Sequence, residues 1–131
     1  MMRSPELAAC LKSPFLWYDD TAPALVTKDL ESADKYLASV KTQKDAVDQI
    51  VTAYQAMYQA TQALLHAIQY KATGFRAIVT VLNDYFVQKG LIDKIHVDHL
   101  LRGQRLEGTP EENNEAAVAM VAAVKKALGK A

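Results

Sequence analysis

Residues 54–68 read YQAMYQATQALLHAI, and the run that contains them, from Gln49 to Tyr70, carries no Asp, Glu, Lys or Arg. Along the segment from Asp45 to Lys71, Val47, Ile50, Tyr54, Met57, Thr61, Leu64 and Ile68 recur at alternating spacings of three and four. That is the seam of a helix packed against antiparallel neighbours. Val51, Tyr58 and Leu65 widen the seam on one side, and Ala46, Ala53, Ala60 and Ala67 form a small-residue ridge on the other. Such a ridge lets a neighbouring backbone approach closely. The remaining strip holds Thr52, Gln55, Gln59, Gln62, His66 and Gln69, polar but uncharged. Five glutamines and one histidine fall within the 22 residues 49–70, whereas a bilayer-spanning helix needs about 20 predominantly apolar residues. The segment therefore reads as the central helix of a bundle.

The flanks repeat the helical period. Upstream, Val26, Leu30, Ala33, Leu37 and Val40 define an amphipathic helix over residues 26–42. Downstream, residues 74–89 place Phe75, Ile78, Val79, Leu82, Tyr85 and Phe86 on one face, with Gly90 as a stop. Asp93 caps a further helix with Val97, Leu100, Leu101 and, towards its end, Leu106 on its apolar face. The sequence Thr109-Pro110-Glu111-Glu112 is a capping box with proline at the first helical position. It opens a last helix to about Leu128, acidic at its start (Glu111, Glu112, Glu115) and basic at its end (Lys125, Lys126, Lys130), the order the helix dipole favours. Near the N-terminus, Ser4 and Pro5 start a short helix that Ser13-Pro14 ends. The aperiodic FLWYDDTAP that follows reads as an irregular arm whose Phe15, Leu16, Trp17 and Tyr18 cover an edge of the core.

The expected fold is all-α: an up-down bundle of four main helices with a short N-terminal helix and an irregular aromatic arm. Its 131 residues suit one domain, divided into the helix and arm (1–25) and the bundle (26–131). Fifteen basic residues balance fifteen acidic ones, so no global field recruits nucleic acid or an anionic membrane. The single cysteine, Cys10, excludes an intrachain disulfide framework. With a charged, interrupted N-terminal run, it points to a cytoplasmic protein without membrane association.

Few residues promise chemistry. His96 and His99 share a helical face beside Asp98, but no clustered ligand set accompanies them, so neither metal nor cofactor is expected. His66 sits on the uncharged strip. Nucleophile-elbow, phosphate-loop and dinucleotide-fingerprint motifs are absent from the sequence. Arg102 and Arg105 near a helix end, with Lys94, form a candidate phosphate-binding set. The strip Gln55, Gln59, Gln62, His66 and Gln69 is the candidate interface, polar yet free of the charges that interface cores exclude.

The order YQAMYQATQALL, FRAIVTVLNDYFVQKG, LLRGQR and a final capped helix resembles the HEPN domains, small prokaryotic helical bundles often encoded beside minimal nucleotidyltransferases. Tyr54, Ala56, Met57, Tyr58, Ala63, Leu64 and Leu65 match an aromatic opening followed by Ala-Leu-Leu, and Phe86, Val87 and Gly90 match a Phe-Val-x-x-Gly helix end. The resemblance implies a dimer and a nucleotidyltransferase partner in a toxin-antitoxin-like pair. Ribonuclease members use an arginine followed, after roughly four to six residues, by a histidine that acts on the RNA 2′-hydroxyl or the leaving group. Arg102 matches the arginine, but the histidine slots hold Glu107, Gly108 and Thr109. A tyrosine common near position 107 in partner-modified members is absent as well. The expectation is thus a non-catalytic, dimeric binding module. Its alternatives are a metal-independent endoribonuclease pairing Arg102 with His96 or His99, and a nucleotide- or phosphate-binding protein.

Overall fold

The computed structural model describes residues 5–129, so the expected Ser4 cap and the Lys130 contribution lie outside the described residues. The chain is predominantly helical. Helix α1 (Pro5–Leu11) leads into strand β1 (Leu16–Tyr18), a 3₁₀ turn (Ala22–Leu25), α2 (Val26–Val40) and α3 (Ala46–Ala67). Strand β2 (Tyr70–Ala72) then precedes α4 (Phe75–Val81), a π-helical continuation (Leu82–Val87), α5 (Lys94–Gln104) and α6 (Pro110–Ala127).

Helix α3 occupies the centre, with α2 and α6 as its principal neighbours and α5 against another side. It starts where Asp45 accepts a hydrogen bond from the Val47 N–H at 2.8 Å, satisfying one of the donors every helix start leaves open. Seven consecutive residues, Ala60 to His66, are all buried. Seven successive positions sample the whole circumference of a helix, so this stretch is enclosed on every side. That enclosure accounts for the uncharged run: a desolvated, unpaired charge there would cost several kcal/mol. Met57, Leu64 and Leu65 are fully buried, each contributing roughly 1.5–3 kcal/mol of hydrophobic stabilisation. Towards the helix start the seam opens, leaving Val47 and Val51 exposed.

The aromatic arm differs from the irregular segment expected. Leu16, Trp17 and Tyr18 pair antiparallel with Ala72, Lys71 and Tyr70, and Leu16 is fully buried. Correspondingly, the central helix ends at Ala67 instead of running to Lys71. Gln69 adopts φ = 69°, a left-handed conformation that costs a non-glycine residue roughly 1–2 kcal/mol. No glycine or proline marks this stop, so the helical pattern alone overruns it. The strand pairing and the stacking of Tyr18 on Tyr70, with ring centroids 4.5 Å apart, offset the strain.

A second departure lies in residues 74–89. The helix widens to π geometry from Leu82 to Val87, with Gln88 N–H donating to the Asn83 carbonyl five residues back. Leu82 and Phe86 remain buried while Tyr85 is only partly covered. The N-terminal segment shares the one core, since Leu7 and Leu16 pack in the same buried cluster as α3 and α6. Among the described residues, no helix is long and apolar enough to cross a membrane.

Candidate functional site: the groove between α5 and α6

Two local signals build this groove. Asp93 accepts the Ile95 N–H at 2.9 Å and starts α5. The Thr109 hydroxyl accepts the Glu112 N–H, and the Glu112 carboxylate accepts the Thr109 N–H, both at 3.1 Å, starting α6. The tight connection between them needs two left-handed residues, Leu106 (φ 59°) and Gly108 (φ 88°). Buried Asn113 fastens it, its side-chain amide donating to the carbonyls of Glu107 at 2.8 Å and Thr109 at 2.9 Å.

Along α5, Val97 and Leu100 are buried, and His99 and Arg102, three residues apart, face α6. A cavity of about 390 Å³ results, lined by His99, Arg102, Glu107, Glu112, Asn113, Glu115, Ala116 and Ala119. His99 and Arg102, linked in the sequence only by proximity, thus share one wall. Arg102 Nη2 lies 3.9 Å from the Glu112 carboxylate. Hydrogen bonding by Thr109, backbone first and side chain second, holds the Glu112 carboxyl below the usual carboxylate range, with Arg102 adding to the effect. Glu112 consequently stays ionised beside Arg102.

His96 and His99 face each other edge to face, with ring centroids 6.4 Å apart. The Nδ1 atoms of both are buried without a protein hydrogen-bond partner. Burial, and then the neighbouring His99, lower the pKa of His96 from its ordinary value against an opposing pull from Asp93. His96 is therefore held towards its neutral form, able to accept or donate a proton at one nitrogen. No group of three or more His, Cys, Asp or Glu side chains among the described residues is placed to hold a metal ion.

Of the expected phosphate-binding trio, Arg102 alone lines the cavity. Lys94 and Arg102 stand eight residues apart on α5, about 12 Å along the axis. Arg105 turns to Glu107, Nη1 to Oε2 at 3.3 Å. The glutamine strip is also divided. Gln62 and His66 are buried inside the chain, and His66 Nδ1 meets Asp29 Oδ2 of α2 at 2.5 Å. Both side chains are interior to the folded chain, and Asp29 ties His66 to the first turn of α2. Gln69 has left the helix for the turn before β2. Gln55 and Gln59 remain half-buried on the helix.

Sequence reasoning missed two features: the Asp29 partner of His66, 37 residues away, and a second cavity lined by Tyr18, Tyr70 and Tyr85. The unusual aromatic density of FLWY was the available signal for the second. No family model, curated protein or solved structure matches the chain.

Proposed function

We propose that the chain is a HEPN-like helical interaction module, non-catalytic and homodimeric, that partners a nucleotidyltransferase in a toxin-antitoxin-like pair. The observation that carries the non-catalytic reading is electrostatic. Arg102 shares its groove with Glu107, Glu112 and Glu115; with Glu107 paired to Arg105, two further carboxylates still face one guanidinium and disfavour the phosphates that an RNA or nucleotide site must attract. The dimer reading is supported by the flank of α3. Val47 is 52% exposed and Val51 is exposed beside half-buried Tyr54 and Tyr58, at spacings of four, three and four that place all four on one helical face. From Val51 to Tyr58 this face carries no charge, so two copies meeting along it experience little like-charge repulsion. Light scattering after size exclusion at tens of micromolar tests this. A dimer that Val51→Glu dissociates is expected, and a strictly monomeric wild type refutes it.

One observation favours the endoribonuclease reading: His99 and Arg102 lie a single turn apart on the same cavity wall, within reach of one phosphodiester. Purified protein that cleaves RNA, with cleavage abolished by both Arg102→Ala and His99→Ala, would replace the non-catalytic reading. Calorimetry with ATP and a short RNA addresses the phosphate-binding reading, for which the carboxylate-rich groove predicts no measurable heat.

A further inference from the structure

At the opposite end of α3, three irregularities of the backbone converge. The left-handed Gln69 ends the helix, the β1–β2 ribbon begins at Tyr70, and the π-helix brings in Tyr85. Wide helical turns are rare and recur at functional sites, and strained non-glycine residues cluster at ligand clamps. Both border one cavity of about 510 Å³, lined by Tyr18, Pro23, Ala67, Ile68, Gln69, Tyr70 and Tyr85. That volume lies within the range of small-molecule sites.

The three tyrosines come from three separate elements. Tyr70 is 5% exposed and belongs to the core, but Tyr18 is 55% exposed and Tyr85 only half-buried. Tyr85 packs in part against the core, and its remaining surface lines the cavity together with exposed Tyr18. Tyr18 and Tyr70 stack with 26° between their planes, and the Tyr70 hydroxyl donates to the Tyr18 hydroxyl at 2.9 Å. The pair is pre-organised as a rigid aromatic wall with polar groups at its edge.

We propose that this cavity binds an uncharged planar heteroaromatic ring between the Tyr18–Tyr70 pair and Tyr85, with the Gln69 amide reading its polar edge. The choice of an uncharged ring follows from the lining, which contains no ionisable carboxylate or amine. A charged ligand would be desolvated without a counter-charge. A cation faces a further obstacle, because the Lys89 ammonium already sits 4.2 Å from the Tyr85 ring centroid. Nearby Asp19 and Lys71 neutralise each other across 3.0 Å.

The test is calorimetry and saturation-transfer NMR on the full chain with indole and adenine as uncharged probes, and tetramethylammonium and benzoate as charged ones. At least one uncharged ring should bind with Kd below about 1 mM, and the charged probes at least about tenfold more weakly. Tyr18→Ala and Tyr85→Ala should each weaken binding about tenfold, as expected for loss of a stacking surface. Tyr36→Ala, on the exposed face of α2, should leave binding unchanged. Because Tyr18 is largely exposed, its variant carries the test even if Tyr85→Ala fails to fold. Absence of binding by both uncharged rings up to about 10 mM, wild-type affinity in Tyr18→Ala, or a charged probe binding as tightly as the rings would each overturn the proposal.

Discussion

Removing the Asp29 carboxylate should destabilise the fold through one contact, the hydrogen bond to His66 that joins the start of α2 to the end of α3. Both side chains are nearly buried, at 11% and 13% exposed. Asp29→Ala would leave His66 Nδ1 without its partner, a loss of about 1–3 kcal/mol. It would also remove a negative charge from the first turn of α2, worth a further 0.3–1 kcal/mol or about that through the helix dipole. A total near 2 kcal/mol is expected. At roughly 2.1 cal/mol/K of unfolding entropy per residue, a chain of 131 residues loses about 7 °C in Tm. Urea unfolding of wild type, Asp29→Ala, His66→Ala and the double variant isolates the pair, since the dipole and packing contributions cancel in the cycle. A coupling energy near 1.5 kcal/mol is expected, about the value of a hydrogen bond with a charged partner. Asp29→Asn keeps an acceptor for an Nδ1–H donor and should recover part of the loss. Coupling below about 0.5 kcal/mol would refute the claim that this contact clamps α2 to α3.

Three other outcomes follow from the same structure. Gln69→Gly relieves a left-handed non-glycine residue and should stabilise the chain by up to about 1 kcal/mol, whereas Gln69→Val should destabilise it; chemical denaturation reads both, and the reverse order would refute the assigned turn. Thr109→Ala removes half of the capping box and should cost about 1 kcal/mol, with loss of amide-exchange protection concentrated in the first turn of α6. Hydrogen bonding from Thr21, then Lys71, holds the Asp19 carboxyl at about 2 instead of 3.8. This contribution to stability is present above the unfolded-chain pKa and is lost as pH falls through about 2. NMR titration should find that midpoint, and Thr21→Val should raise it; an unchanged midpoint in that variant would exclude Thr21 as the main cause.

The legible parts of this molecule are those governed by neighbours in the sequence. The capping box at Thr109 and the Asp93 cap operate over two or three residues, so residue type and spacing suffice to place the starts of α5 and α6. The uncharged run from Gln49 to Tyr70 likewise identifies a helix with few solvent-facing positions. Of the groove, the sequence offers Arg102 with either His96 or His99, and the fold puts His99 beside Arg102 on the cavity wall. Their carboxylate surroundings were not legible, because Glu112 and Glu115 arrive on α6 through a turn that depends on left-handed Leu106 and on Asn113.

What the sequence by itself determined is therefore the helical class, the central position of α3 and the helix starts, since periodicity and capping are short-range. Only the tertiary structure decided that Leu16–Tyr18 is a strand, that α3 stops at Ala67, and that Gln62 and His66 are interior. Each of these depends on a partner distant in sequence. Tyr18 meets Tyr70 and His66 meets Asp29 only after the chain has closed. There, packing and pairing free energy outweighs local propensity, which favours continuing the helix and leaving a polar strip in water.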